Sequence, residues 1–219
     1  MTKDLYIIGA GGFTIEVLFL IDRFYKNSWK NIYIIDDDSE KIGTKVRNVP
    51  VVSSILDFIV KCKQERALEK DVLITINNQK IRKRIVDDLL VEKIKINFPN
   101  IIDETAVIDT KFSEIGKGNI ITDFVGITGN VSLGDFNVIG ARTGIGHGSK
   151  IGDFNTFSPR VSISGHVEIG NGNTFGLNSA ILQNKTIGDN NDIWSYTMIL
   201  KNIGNDCTYF GMPAKKIKI

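Results

Sequence analysis

The chain has 219 residues, with 27 Lys plus Arg against 25 Asp plus Glu, giving a formal charge of +2. That length allows one large domain or two small ones with a sizeable core, and the near-balanced charge, with no basic stripe, argues against nucleic acid as the main partner. No apolar run reaches the ~18–20 residues that span a bilayer; the opening MTKDLYIIGAGG lacks a signal-peptide layout, because its apolar stretch runs into a Gly-rich turn; and Cys62 and Cys207, far apart and without metal-ligand spacing, read as ordinary thiols of a reducing compartment. A cytoplasmic location with no membrane attachment is expected.

The first half reads as α/β. Leu5–Ile8 is an apolar run that ends in Gly9-Ala10-Gly11-Gly12, and Thr14 to Tyr25 has helical periodicity through Ile15, Val17, Leu18, Leu20 and Ile21. Ile32–Ile35 is a second strand, stopped by Asp36-Asp37-Asp38. Val49–Val52 follows as a short strand, Ile55–Gln64 as a helix, and Val72–Ile76 as a strand before Asn77-Asn78. A helix over Lys80–Val91 and a last run, Ile94–Asn97, close the unit. Strands alternating with helices predict a small, Rossmann-like parallel sheet with crossovers.

The second half changes period. From Ile115 one phase holds every six residues: Ile115, Ile121, Ile127, Leu133, Ile139, Ile145, Ile151, Phe157, Ile163, Ile169, Phe175, Ile181, Ile187, Ile193, Ile199. The next residue is often Gly, as at 116, 134, 140, 146, 152, 170, 176 and 188. A fixed hexapeptide period marks a parallel β-helix. Each unit supplies one flat face and one corner of a triangular prism, the aliphatic side chain pointing to the axis and the small residue after it letting the chain turn. Three units make a coil of eighteen residues, so residues i and i+18 stack at about 4.8 Å. The expected organisation is residues 1–100 as the α/β domain and 101–219 as the β-helix.

The order of these parts carries a specific likeness. A GAGG turn after the first strand, then IDDD, then INN before a Lys/Arg-bearing helix, then hexapeptides, then Gly211-Met212-Pro213-Ala214-Lys215, closely resembles the sugar acyltransferases of the NeuD/PglD type over nearly the whole chain. The resemblance implies a left-handed β-helix, acetyl-CoA as co-substrate, a nucleotide-activated sugar as acceptor, and a homotrimer with sites at subunit boundaries. Within that implication His147, in Ile145-Gly146-His147-Gly148, is the general base that takes the proton from the attacking amine or hydroxyl, a task suited to an imidazole. Gly165, eighteen residues on, leaves a gap beside it for a thioester and offers its backbone N–H to the carbonyl oxygen. Gly148 departs from the bacillosamine-pathway members, which carry a glutamate after this histidine. Asn130, eighteen residues before Gly148, is the candidate to replace that carboxylate.

In the α/β half, Gly9, Gly11 and Gly12 allow a backbone to approach a phosphate at a helix N-terminus, although G-A-G-G is not the full dinucleotide fingerprint. Asp36 and Asp37 stand where an acid accepts bonds from a ribose or a base edge, Asp38 reads equally as a solvated turn, and Asn77 and Asn78 end a strand on the same sheet edge. Phe13 replaces a histidine that reaches the sugar in some members and matches the sialic-acid O-acetyltransferase form; it reads equally as a core residue. Along the β-helix, Leu177 lines the implied CoA channel and Lys215 meets CoA phosphates or belongs to a solubilising tail. His166 contacts CoA or merely decorates a corner, and the corner reading is favoured. Trp194 and Tyr196 cap the prism or pack on adenine.

Other classes fit less well. A zinc-dependent β-helix carbonic anhydrase needs three histidines on one metal, and the chain has two, so no metal is expected. A purely structural β-helix would not need the α/β domain. Between reactions, the missing carboxylate beside His147 leans to an amine acceptor, a UDP- or dTDP-linked 4-amino-sugar for a bacterial surface glycan such as the lipopolysaccharide O-antigen. Phe13 leans to a hydroxyl.

Overall fold

The computed structural model describes residues 3–65 and 68–218. Contacts divide the chain into two compact units, Met1–Pro99 and Asn100–Ile219.

In the first unit, β1 (Leu5–Ile8), α1 (Gly12–Phe24), β2 (Ile32–Ile35), β3 (Lys45–Val46), β4 (Val49–Ser53), α2 (Ile55–Gln64), β5 (Lys70–Ile74), α3 (Gln79–Val91) and β6 (Ile96–Asn97) follow one another. The sheet order is β3-β4-β2-β1-β5-β6, parallel throughout except for the β3–β4 hairpin. β1 is central and buried at every residue, which is why it reads as an unbroken apolar run rather than an alternation. The helices bury one face each: α1 turns Val17, Leu18, Leu20 and Ile21 inward, and α3 turns Ile85, Val86 and Leu89 inward. Ser54 caps α2, its side chain accepting from the Asp57 N–H while its hydroxyl donates to Asp57 at 2.7 Å, a reciprocal cap of the kind that starts helices. β5 begins two residues earlier than its apolar pattern suggests, because Lys70 and Asp71 pair with Ile96 and Asn97 of β6; Thr75, its N–H still donating to Ile8 O, and Ile76 follow it and pack beside Gly9.

The second unit is a left-handed parallel β-helix with a Rossmann-like unit before it. Among the described residues its two- and three-residue strands form faces of eight, six and five strands. Ile145 pairs with Ile127 before it and Ile163 after it, and the same eighteen-residue step runs through the interior coils. The phased residues form one continuous core, with Phe157 and Phe175 stacked at 4.8 Å and 1°.

Three features were not anticipated. First, paired strands appear at Ile101–Ile102 and Val107–Ile108, ahead of the six-residue phase read from Ile115: Ile102 pairs with Ile121 and Ile108 with Ile127, nineteen residues on, so one inserted residue hides the first coil from a six-residue period. Second, the turn is not made by the small residue after the aliphatic one. It is made two residues further on, where the chain enters the left-handed region at Phe124 (φ 54°), Phe136 (56°), Gly148 (68°), Phe154 (58°), His166 (56°) and Tyr196 (59°), among others. The glycine after the aliphatic residue has another purpose: a Cβ on Gly146 would lie 2.6 Å from Gly165 N on the next coil, so only hydrogen lets adjacent backbones close to strand spacing. Third, one edge carries an internal column of asparagines. Asn119, Asn137, Asn155, Asn173 and Asn191 are fully or almost fully buried, and each side-chain oxygen accepts from the backbone N–H of the next member at 2.8–3.1 Å. These bonds satisfy buried corner donors that no strand ladder reaches.

Candidate active site

At the carboxyl ends of β1, β2 and β5 the first unit builds a compact loop cluster. Gly9 has φ +113°, and a Cβ there would come within 3.1 Å of Ile76 Cγ1 and Thr75 Oγ1. Gly11 and Gly12 differ, since a Cβ on either would meet nothing within 4 Å. They border open space at the start of α1, a helix with no side-chain cap and no acid in its first turn, so its N-terminal dipole is not neutralised by the chain itself. Thr14 Oγ1 donates to Gly9 O at 2.8 Å and lies 2.8 Å from Thr75 Oγ1, tying the glycine turn to β5.

The acids beside this turn are already engaged. Asp36 accepts from the Ala10 N–H at 2.6 Å and the Asp38 N–H at 2.9 Å, with Lys41 Nζ at 3.7 Å. Asp37 accepts from the Ile55 N–H at 2.9 Å, where α2 begins. Asn78 caps α3 by accepting from the Ile81 N–H at 3.0 Å. Asn77 supplies a carbonyl to Arg82, whose Nη1 donates to Ile76 O at 2.6 Å and Asn77 O at 3.1 Å. Arg82 is 1% exposed, and burial holds its guanidinium down to about 10. It stays charged at neutral pH and props the loop from below. Sequence reading passed over Arg82 because an arginine on a helix normally signals a solvated face. Phe13 is half-buried, between the two roles considered for it.

In the second unit His147 and Gly165 come together. His147 is exposed, and its imidazole reaches over the buried Gly165: Cε1 and Nε2 are each 2.8 Å from where a Gly165 Cβ would stand. The gap beside the histidine is thus filled by the ring itself. The Gly165 N–H donates to no atom among the described residues.

The neighbouring column is the mirror of this one. At Gly148 a Cβ would fall 2.4 Å from Nδ1 and 2.6 Å from Cε1 of His166. The His147 and His166 rings meet edge to face, centroids 5.0 Å apart and planes at 89°. Asn130 occupies the same column as Gly148 and His166, one coil earlier, with φ 60°. No bond from its side chain to either histidine is present among the described residues. The His166 contact is legible in the same eighteen-residue step, taken forward from Gly148 instead of back to Asn130.

Leu177 lies on a different prism edge. It follows Phe175 on the eight-stranded face, whereas His147 follows Ile145 on the six-stranded one. Lys215 is in the final hairpin, paired with Phe210 across an antiparallel ladder, four coils from His147, roughly 19 Å along the axis at ~4.8 Å per coil. Trp194 is 41% exposed, donates to Asp192 at 3.1 Å and packs on Phe210 at 5.8 Å. Among the described residues no group of three or more His, Cys, Asp or Glu side chains could hold a metal, and no helix is long and apolar enough to cross a membrane.

Comparison with known proteins agrees with this arrangement. The family described as the PglD N-terminal domain matches residues 4–89. Among solved structures, perosamine N-acetyltransferase of Caulobacter crescentus, in complex with CoA and GDP-perosamine, superposes with a TM-score of 0.87 at 20% identity, over 99% of this chain and 98% of that one. The acetyltransferase domain of PglB from Neisseria gonorrhoeae, in complex with acetyl coenzyme A, gives 0.87 at 22% over 99% and 100%. WeeI of Acinetobacter baumannii gives 0.84 at 27% identity, again over 99% and 100%. The first two likenesses establish the fold end to end. Residues 4–89 carry a PglD-type N-terminal domain, and the whole chain resembles the NeuD/PglD-type sugar acyltransferases. Its PglD-type N-terminal unit carries the glycine turn, and its β-helix carries His147. No curated protein sequence matches the chain.

Proposed function

We propose that this protein moves an acetyl group from acetyl-CoA to the amino group of a nucleotide-linked amino-sugar. The observation that carries the reading is the exposed His147 imidazole, lying against the Gly165 backbone. The PglD-type unit binds the nucleotide sugar, with the diphosphate at the open Gly11–Gly12 backbone, where the uncapped α1 favours an anion. Asp36, Asp37, Asn77 and Asn78 hold that loop in shape and offer their remaining polar atoms, and Phe13 borders the sugar.

His147 accepts the proton as the amine attacks the thioester carbonyl carbon. A tetrahedral intermediate forms, its oxyanion takes the Gly165 N–H, and collapse expels the CoA thiolate, which is protonated in turn. The step is a direct displacement whose gain comes from positioning, base and oxyanion donor together. CoA runs along the axis, past Leu177 and towards Lys215. Because Leu177 and His147 lie on different edges of one prism, a homotrimer in which one subunit's edge meets its neighbour's completes the channel. One acetylating relative carries the name and ligand of amino-sugar chemistry, GDP-perosamine, which supports an amine acceptor.

The test is CoA release from acetyl-CoA with a panel of UDP-, dTDP- and GDP-linked 4-amino-sugars, GDP being included because of the perosamine enzyme. Wild type should turn over one amino-sugar, and His147→Ala should lose at least about a hundredfold. Activity confined to a hydroxyl acceptor such as a sialic acid would replace N- with O-acetylation. Turnover that survives in His147→Ala would place the base elsewhere.

A further inference from the structure

We infer that His166 is a positioning residue for His147: its ring fixes the orientation of the base and stabilises the imidazolium formed when the base takes up a proton. This rests on the acetyltransferase reading of the same site, and the observations behind it are separate.

A general base needs one held orientation, and a partner for the charge it acquires. His147 makes no side-chain hydrogen bond among the described residues, and a carboxylate reaches the corners stacked around it only from the coil before them: Asp109 Oδ2 lies 3.0 Å from where a Gly129 Cβ would stand, one coil ahead of His147. Those corners are Thr128-Gly129-Asn130-Val131, Gly146-His147-Gly148-Ser149, Ser164-Gly165-His166-Val167 and Leu182-Gln183-Asn184-Lys185. Their titratable groups are the two histidines and Lys185, whose ammonium donates to Asn184 O at 3.4 Å. The nearest flanking ions, Lys150 and Glu168, pair with each other at 3.1 Å. His147 is therefore oriented by Gly165 beneath it and by the His166 ring at its side.

Two unusual choices of residue make that contact. His166 is in the left-handed region at φ 56°, a conformation that costs a histidine energy and suits Asn or Gly better. Gly148 lacks the Cβ that would otherwise occupy the place of the His166 Nδ1–Cε1 edge. A cationic ring set edge to face against a neutral one is favoured over two neutral rings, and two cations at this separation are disfavoured.

The cleanest variant is His166→Asn, because asparagine tolerates the backbone conformation. The expected result is a kcat lower by roughly tenfold, with KM for acetyl-CoA and for the sugar within about twofold. His166→Phe, which restores a ring, should recover part of that loss. Gly148→Asn, which evicts the His166 ring while leaving the residue in place, should reproduce it, and the Gly148→Asn/His166→Asn double variant should be no worse than either single change. An unchanged kcat in His166→Asn overturns the proposal.

A second readout needs no substrate, so it survives failure of the acetyltransferase reading. The chain has two histidines, so the imidazole Cε1–H signals can be assigned and followed by NMR. Loss of the edge-to-face ring in His166→Asn should shift the His147 Cε1–H signal and weaken its NOE contacts to the Gly165 backbone. If the His147 signal keeps the same NOE contacts to Gly165 in the variant, the proposal is wrong.

Discussion

At Gly165 a single methyl group decides where the ring above it can lie. The Cβ of an alanine would stand 2.8 Å from Cε1 and Nε2 of His147, closer than carbon contacts allow, while the backbone of Gly165 lies outside the left-handed region and accepts alanine without strain. Gly165→Ala should therefore leave the melting curve of the β-helix almost unchanged while lowering kcat by roughly a hundredfold, the scale expected when a catalytic group is displaced by about an ångström. Steady-state kinetics beside a thermal melt separate the two effects, and an unchanged kcat would mean that the ring does not work from this position. The same residue illustrates what the sequence conveys and what it withholds. Eighteen-residue stacking brought His147 to Gly165 on paper. That the imidazole lies on the glycine, instead of standing beside a gap, depends on a side-chain torsion that no spacing encodes.

At the scale of elements, strand positions were legible wherever one apolar residue per hexapeptide had to fill the prism, from Ile115 to Ile199, because each of those side chains has no other place to go. The first coil was hidden by its nineteenth residue. β3 and the final hairpin, Thr208–Phe210 with Lys215–Ile217, are too short for a period to appear. The asparagine column was legible and missed: the pattern Ile/Leu-Gly-Asp/Asn-x-Asn recurs every eighteen residues at Leu133, Ile151, Ile169 and Ile187, but a search for hydrophobic phase does not register polar positions. That column has a measurable weight. Asn155 accepts from Asn173 N at 2.9 Å and donates through Nδ2 to Gly170 O at 2.9 Å. Asn155→Ala strips buried groups of their partners, at about 1–3 kcal/mol for each, and should lower the urea midpoint of the β-helix transition clearly. Exposed Lys150→Ala should stay within about 0.5 kcal/mol of wild type. Equal midpoints for the two variants would show the column to be incidental.

For the whole molecule, the separation of the His147 and Leu177 edges makes assembly a matter of activity and not of stability alone. If each channel draws one edge from each of two subunits, His147→Ala and Leu177→Asp, each inactive by itself, should regain turnover when co-expressed, because a fraction of mixed oligomers contains channels with both edges intact. Light scattering should give the mass of three chains of 24.3 kDa. Absence of complementation, or a monomeric mass with full activity, would confine the site to one subunit. The presence of an α/β unit and a solenoid was evident from the change of period, read from Ile115 onward. The identity of the acceptor was not, because the recognisable residues, Asp36, Asp37, Asn78 and Arg82, brace the loop, while the open backbone at Gly11 and Gly12 carries no side chain to read.

The coils also give the protein a ruler. Interior coils hold eighteen residues, and departures from that number, nineteen at the start and sixteen at the finish, fall only at the two ends. In the interior an insertion of one or two residues would slide every later aliphatic side chain out of the axis and break the asparagine column. An insertion of eighteen would leave both intact and move everything beyond it by a single graduation, about 4.8 Å. The span between His147 and the lysines of the final hairpin can therefore be lengthened or shortened only in whole steps. A lineage that needed to grip a longer or shorter donor molecule would have to change by a full coil, and relatives of this chain should differ in reach by integers.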